Sequence, residues 1–227
     1  MSVSTEGVVT KAGARRNRGI AAATGVTGAV LLYLGVQVEP GDTSFYIFTI
    51  ALAVVWVVGS LLTARSRTFG SIREGRLWRD LGLGALGGLA LLVVFLLGAG
   101  AVARIDFLAD PVEELLAHAS FGALSIVTLI TVLNGVTEEI FFRGALHESL
   151  GGTRTRRLVG TSLIYTLVTA ASGIPLLALA AACMGVLAEW LRQRTGALLA
   201  PITAHLTWSL GMLYLLQPAL DIWRALL

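Results

Sequence analysis

LGLGALGGLALLVVFLLGAGAVA, residues 81–103, contains no charged or hydrogen-bonding side chain. As a helix it would extend about 35 Å at 1.5 Å per residue, enough to cross a hydrocarbon layer about 30 Å thick. Six further apolar stretches flank it: Ile20 to Val38, Phe45 to Ala64, Phe121 to Leu146, Leu158 to Ala171, Ile174 to Leu191 and Ala197 to Leu216. The composition agrees: 56% of the 227 residues are hydrophobic and 14% charged, against about 25% charged in soluble domains. The sequence therefore predicts an all-α, polytopic transmembrane helical bundle of about seven spans. The fifth stretch is short. Ser172, Gly173 and Pro175 form a turn after it, which predicts an antiparallel hairpin of the fifth and sixth helices.

The charges lie mostly between the apolar runs, and their signs alternate. Lys11, Arg15, Arg16 and Arg18 precede the first run, and Glu39 and Asp42 follow it. The next loop holds Arg65, Arg67, Arg73, Arg76 and Arg79; the one after holds Asp106, Asp110, Glu113 and Glu114 against Arg104. Then come Arg154, Arg156 and Arg157, a neutral turn, and Arg192 with Arg194; Arg224 alone departs from the pattern. By the positive-inside rule the N-terminus is cytoplasmic and the C-terminus outside, in a cell membrane. The first apolar run lacks a cleavage site and reads as a retained helix. The predicted organisation is a polar cytoplasmic arm (1–18), N-terminal transmembrane helices (19–110), a membrane core (111–217) and a tail (218–227). Residues 67–80, with Phe69, Ile72, Leu77 and Trp78 among arginines, suit a helix on the inner leaflet. Residues 111–119 suit a short helix outside, with His118 at its surface.

Several function classes are excluded at this level. No cysteine/histidine cluster suggests a zinc finger, and Cys183 lies in an apolar run, where it reads as packing. The net charge of +3 sits in arginine-rich loops facing the anionic leaflet, so the partner is the lipid bilayer and not nucleic acid.

The informative polar residues interrupt the fourth run, LNGVTEEIFFRGAL, Leu133 to Leu146. A charge in mid-span costs about 2.5–3.5 kcal/mol on insertion scales, so such residues face a cavity or one another. Glu139 and Arg143 have the i,i+4 spacing of a pair. Glu138 is turned about 100° away, with Asn134 as its own i−4 neighbour. One carboxylate is thus paired, and the other is left as a candidate general base toward water. The competing reading places all three charges at a helix end that snorkels to water. A second cluster weighs against it. In ALLAPITAHLTWSLGM, Ala197 to Met212, His205 sits mid-helix with Ser209 one turn later, at a depth matching that of Glu138.

These residues carry a resemblance. EEIFFRG, Glu138 to Gly144, resembles the Glu-Glu-x-x-x-Arg motif of the CPBP or Abi family of CAAX prenyl proteases and bacteriocin-processing enzymes. APITAHLTWS, Ala200 to Ser209, resembles its last motif, His-x-x-x-Asn. The match covers roughly residues 120–215. It implies a glutamate-dependent intramembrane endopeptidase: Glu138 as base, Glu139 and Arg143 as a structural pair, and His205 stabilising an oxyanion or holding a metal. A divalent metal such as zinc stays open as cofactor. The sequence departs from the family twice. The middle motif, Phe-x-x-x-His, is matched by Tyr165 to Thr169, so Thr169 stands where histidine belongs, and the final Asn is Ser209. Thr cannot replace imidazole as a neutral metal ligand. His147, four residues past Arg143, could compensate but reads as a surface residue.

Three functions follow. The first is a membrane peptidase that cuts a peptide or membrane-protein substrate near the cytoplasmic face. The second is an inactive scaffold or immunity-type protein of the same fold, favoured by the missing histidine. The third is a small transporter, against which no repeated half is found.

Overall fold

The computed structural model describes residues 11–63, 76–121 and 124–226. Among these, α1 (Lys11–Val36), α2 (Ser44–Thr63), α3 (Arg76–Val102), α4 (Asp106–Phe121) and α5 (Leu124–Glu139) follow in order. α5 continues without a break into a π-helical segment, Ile140–Leu146, and a last turn, α6 (His147–Leu150). α7 (Arg154–Ala170), α8 (Pro175–Thr195) and α9 (Leu199–Leu226) complete an all-α bundle.

Among the described residues six helices are long and apolar enough to cross a bilayer: Gly13–Val36, Ser44–Thr63, Arg76–Val102, Leu124–Leu150, Pro175–Thr195 and Leu199–Leu226. The fifth apolar stretch forms α7, which has 17 residues. At about 26 Å it is shorter than the hydrocarbon layer, and its first turn holds three arginines. α7 and α8 pack together as a hairpin. Gly173 takes a positive φ of 79° in the turn, and Pro175 opens α8 where its missing N–H costs nothing.

Small residues allow the helices to approach closely. A Cβ on Gly84 or Gly88 of α3 would collide with the carbonyl oxygens of Ala200 and Ala204 on α9. This is the close backbone packing expected where lipid supplies no hydrophobic drive. Trp56 of α2 fills the centre of the bundle, its ring 4.9 Å from Phe141 and 5.1 Å from Phe142. Leu86, Val93, Val94 and Leu97 of α3 are exposed, as a lipid-facing side requires.

The outer helix predicted over 111–119 starts earlier, at Asp106, and carries Pro111 inside it. His118, expected at the surface, is buried. The imidazole stacks on Phe45, at the start of α2, with centroids 4.1 Å apart and planes at 11°. Desolvation there holds its pKa below the usual histidine value. Of the interfacial segment predicted over 67–80, residues 67–75 lie outside the described residues, as do residues 1–10 of the arm.

Candidate active site

The motif EEIFFRG falls where α5 gives way to the π-helical segment. The His147 N–H reaches the Phe142 carbonyl, five residues back. Single π turns inside α-helices recur at functional sites, because they turn side chains away from regular α register. Here the turn keeps Phe141, Phe142, Arg143, Ala145 and Leu146 all buried.

Arg143 and Glu139 are both fully buried, with Nη1 of the arginine 3.0 Å from Oε1 of the carboxylate. The guanidinium is further held by α8, where Nη2 donates to the carbonyls of Gly185 (3.2 Å) and Met184 (3.4 Å). It also lies 4.7 Å from the centroid of the Tyr165 ring on α7. From the other side, Nε of Arg192 donates to the Arg143 carbonyl at 3.1 Å. A charge this deep is tolerable because it is paired and hydrogen-bonded on several sides.

His205 of α9 enters between the two glutamates. Its Nδ1 lies 2.7 Å from Glu139 Oε1, and its Nε2 lies 4.0 Å from Glu138 Oε2. A carboxylate accepts, so Nδ1 carries the hydrogen and the ring is oriented with Nε2 toward Glu138. Glu138 keeps 19% side-chain exposure, unlike Glu139. The Tyr165 hydroxyl donates to Glu138 Oε2 at 3.0 Å. The structure thus brings Glu138, Glu139, Arg143 and His205 into one cluster from two helices.

The supporting residues sit around this cluster in different ways. Asn134 turns its amide elsewhere: Nδ2 donates to the Thr49 carbonyl of α2 (3.2 Å) and to Ile130 (3.1 Å), tying α5 to α2. Ser209 lies one turn beyond His205, with a buried Oγ that has no hydrogen-bond partner. Thr169 is buried one turn beyond Tyr165. His147, expected at the surface, is buried because α8 crosses over it, and its Nδ1 lies 2.7 Å from Glu189 Oε1.

Sequence reasoning missed two of these contacts. Tyr165 appeared as the aromatic of the middle motif, and its hydroxyl was the signal that it does more than fill space. Glu189 is a lone acid inside the sixth apolar stretch, so the rule that singled out Glu138 applies to it equally.

The donor set does not fit a zinc site. Glu139 Oε1 is committed to Arg143 and His205 Nδ1, Thr169 offers no imidazole, and Glu138 with His205 Nε2 are two donors where zinc takes three or four from protein. Among the described residues no group of three or more His, Cys, Asp or Glu is placed to hold a metal.

Residues 120–211 match the protein-family model described as type II CAAX prenyl endopeptidase Rce1-like. No curated protein and no solved structure matches the chain.

Proposed function

We propose, from the likeness of residues 120–211 to the type II CAAX prenyl endopeptidase family model, that this multi-pass membrane protein is an active endopeptidase whose nucleophile is a water activated by Glu138. The observation that carries the reading is the 4.0 Å between Glu138 Oε2 and His205 Nε2. One water fits between atoms at that separation, within the roughly 2.6–3.2 Å that proton transfer needs from each.

Glu138 takes one proton from the water as its oxygen bonds to the scissile carbonyl carbon. A neutral imidazole whose Nδ1 donates to Glu139 presents a bare Nε2, which accepts the water's other hydrogen and aims the lone pair. That favours His205 as the residue that orients the water. The tetrahedral intermediate then collapses, the C–N bond breaks, and Glu138 passes its proton to the departing amine nitrogen. The products are a carboxylic acid and an amine, and Glu138 is again a carboxylate. Glu139 and Arg143 hold the histidine and the helix without entering the chemistry. The arginine alternation supports a cytoplasmic N-terminus in the cell membrane, with the cut near the inner leaflet.

Thr169 in place of the family histidine favours a second reading, an inactive scaffold of the same fold. Comparing the peptides released by cells expressing wild type and Glu138→Ala separates the two. The protease reading expects peptides that appear with wild type alone. Identical peptide sets leave the scaffold.

A further inference from the structure

We propose that the Tyr165 hydroxyl is a catalytic group of this site, the donor that stabilises the oxyanion of the tetrahedral intermediate. The inference rests on the protease reading above.

Three observations lead to it. The phenol oxygen lies 3.0 Å from Glu138 Oε2, the atom assigned as the base. The ring is fixed: its centroid is 4.7 Å from Phe142 at 62°, the Arg143 guanidinium lies 4.7 Å from it, and the residue is 6% exposed. A hydroxyl buried there costs free energy unless it is hydrogen-bonded, and a phenyl ring would make the same ring contacts without that cost. With His205 Nδ1 committed to Glu139 and Nε2 turned to the water, the Tyr165 O–H is a hydrogen-bond donor already in contact with the base.

The step balances without a co-reactant. Before reaction the phenol donates to Glu138 Oε2. Once Oε2 has taken the water's proton it becomes a donor itself, and the phenol hydrogen is released to turn about its C–O bond. It then donates to the carbonyl oxygen, on which negative charge has just formed. The phenol keeps its hydrogen throughout. When the intermediate collapses, the carbonyl reforms, Glu138 gives its proton to the amine, and the phenol returns to the carboxylate. Base and oxyanion donor are therefore coupled: the donor becomes free when the base has acted.

The test uses the full-length protein in detergent and a quenched-fluorescent peptide spanning a cleavage site mapped by the wild type against Glu138→Ala comparison. Tyr165→Phe keeps the ring packing and loses the donor. It is expected to lower kcat about 10²–10³-fold, the range for loss of one oxyanion donor, with KM within twofold and an unchanged melting temperature. Unchanged kcat, or a rise in KM alone, overturns the proposal while leaving Glu138-dependent cleavage standing. If no Glu138-dependent site can be mapped, the protease reading falls and this inference with it. Should Tyr165→Phe fail to fold, difluorotyrosine placed at position 165 keeps the hydroxyl but makes it more acidic. The alkaline limb of the kcat profile should then move to lower pH, and an unmoved limb counts against the proposal.

Discussion

His205 Nδ1 lies 2.7 Å from Glu139 Oε1, joining α9 to α5 across 66 positions of sequence. The same oxygen accepts from Arg143 at 3.0 Å, so one buried carboxylate holds both the arginine of its own helix and the histidine of another. Removing it strands a fully buried guanidinium. Glu139→Ala is expected to lower unfolding stability in detergent by about 3–5 kcal/mol, the cost of breaking a buried ion pair from one side. Glu138→Gln keeps, at a partly exposed position, an oxygen that can still accept from the Tyr165 hydroxyl, and should cost about 1 kcal/mol or less. Equal stability of the two variants would show that Glu139 does not carry the structural load.

Thr169→His restores an imidazole one helical turn from Tyr165, on the buried side of α7. It is expected to raise the rate at which Glu138-dependent peptides appear, and Glu138→Gln added to it should abolish them. A rate unchanged by the histidine would mean that the site completes its chemistry without a group at that position.

The bundle and most of the site could be read from the sequence because lipid makes polar residues conspicuous. Glu138, Glu139, Arg143 and His205 stood out by being charged or titratable inside apolar runs, and the structure gathers them. What could not be read depends on geometry that residue spacing does not encode. The α-helical offset of 100° placed Glu138 apart from the pair, yet His205, arriving from α9, touches Glu139 with one nitrogen and faces Glu138 with the other. Asn134 looked like a neighbour of Glu138 by its i−4 spacing but spends its amide on backbone carbonyls. His147 and His118 looked exposed because each lies near a loop, and each is met by a side chain of a helix distant in sequence, Glu189 of α8 and Phe45 of α2.

Orientation is testable at three positions. Reporter fusions at Glu39 and Arg154 should read outside and inside, following the arginine alternation. A fusion at Gly173 should read outside if α7, 17 residues long, carries the chain back across the membrane beside α8. An inside reading at Gly173 would make α7 and α8 a re-entrant pair; an outside reading at Arg154 would remove the basis for a cut at the inner leaflet.

His118 gives the fold a pH dependence whose sign is fixed. Burial lowers its folded-state pKa below that of the unfolded chain, so acid protonates the unfolded state first. The neutral, stacked imidazole therefore contributes full stability above about pH 6.5, and that contribution declines as pH falls below it. His118→Phe keeps the stacking on Phe45 without the titration. The melting temperature of wild type should drop more between pH 7.5 and 5.5 than that of the variant. Parallel curves would place the acid sensitivity elsewhere.

The position of His205 depends on how closely α9 lies on α3. Gly84 and Gly88 leave no room for a Cβ beside the carbonyls of Ala200 and Ala204, and Ala204 is the residue before His205. Gly88→Val forces the helices apart at that point. Overpacking of this kind costs about 1–3 kcal/mol, and a base and its partner displaced by an ångström lose rate steeply. The variant is therefore expected to melt earlier and to lose Glu138-dependent cleavage by more than its lost stability explains. Gly82 and Gly98 lie on the same helix with nothing within 4 Å of an added Cβ. Alanine at either should be neutral or slightly stabilising, since it reduces the freedom of the unfolded chain. If Gly88→Val cleaves at the wild-type rate while folded, the 4.0 Å between His205 Nε2 and Glu138 Oε2 is not what sets the reaction, and water orientation by His205 fails with it.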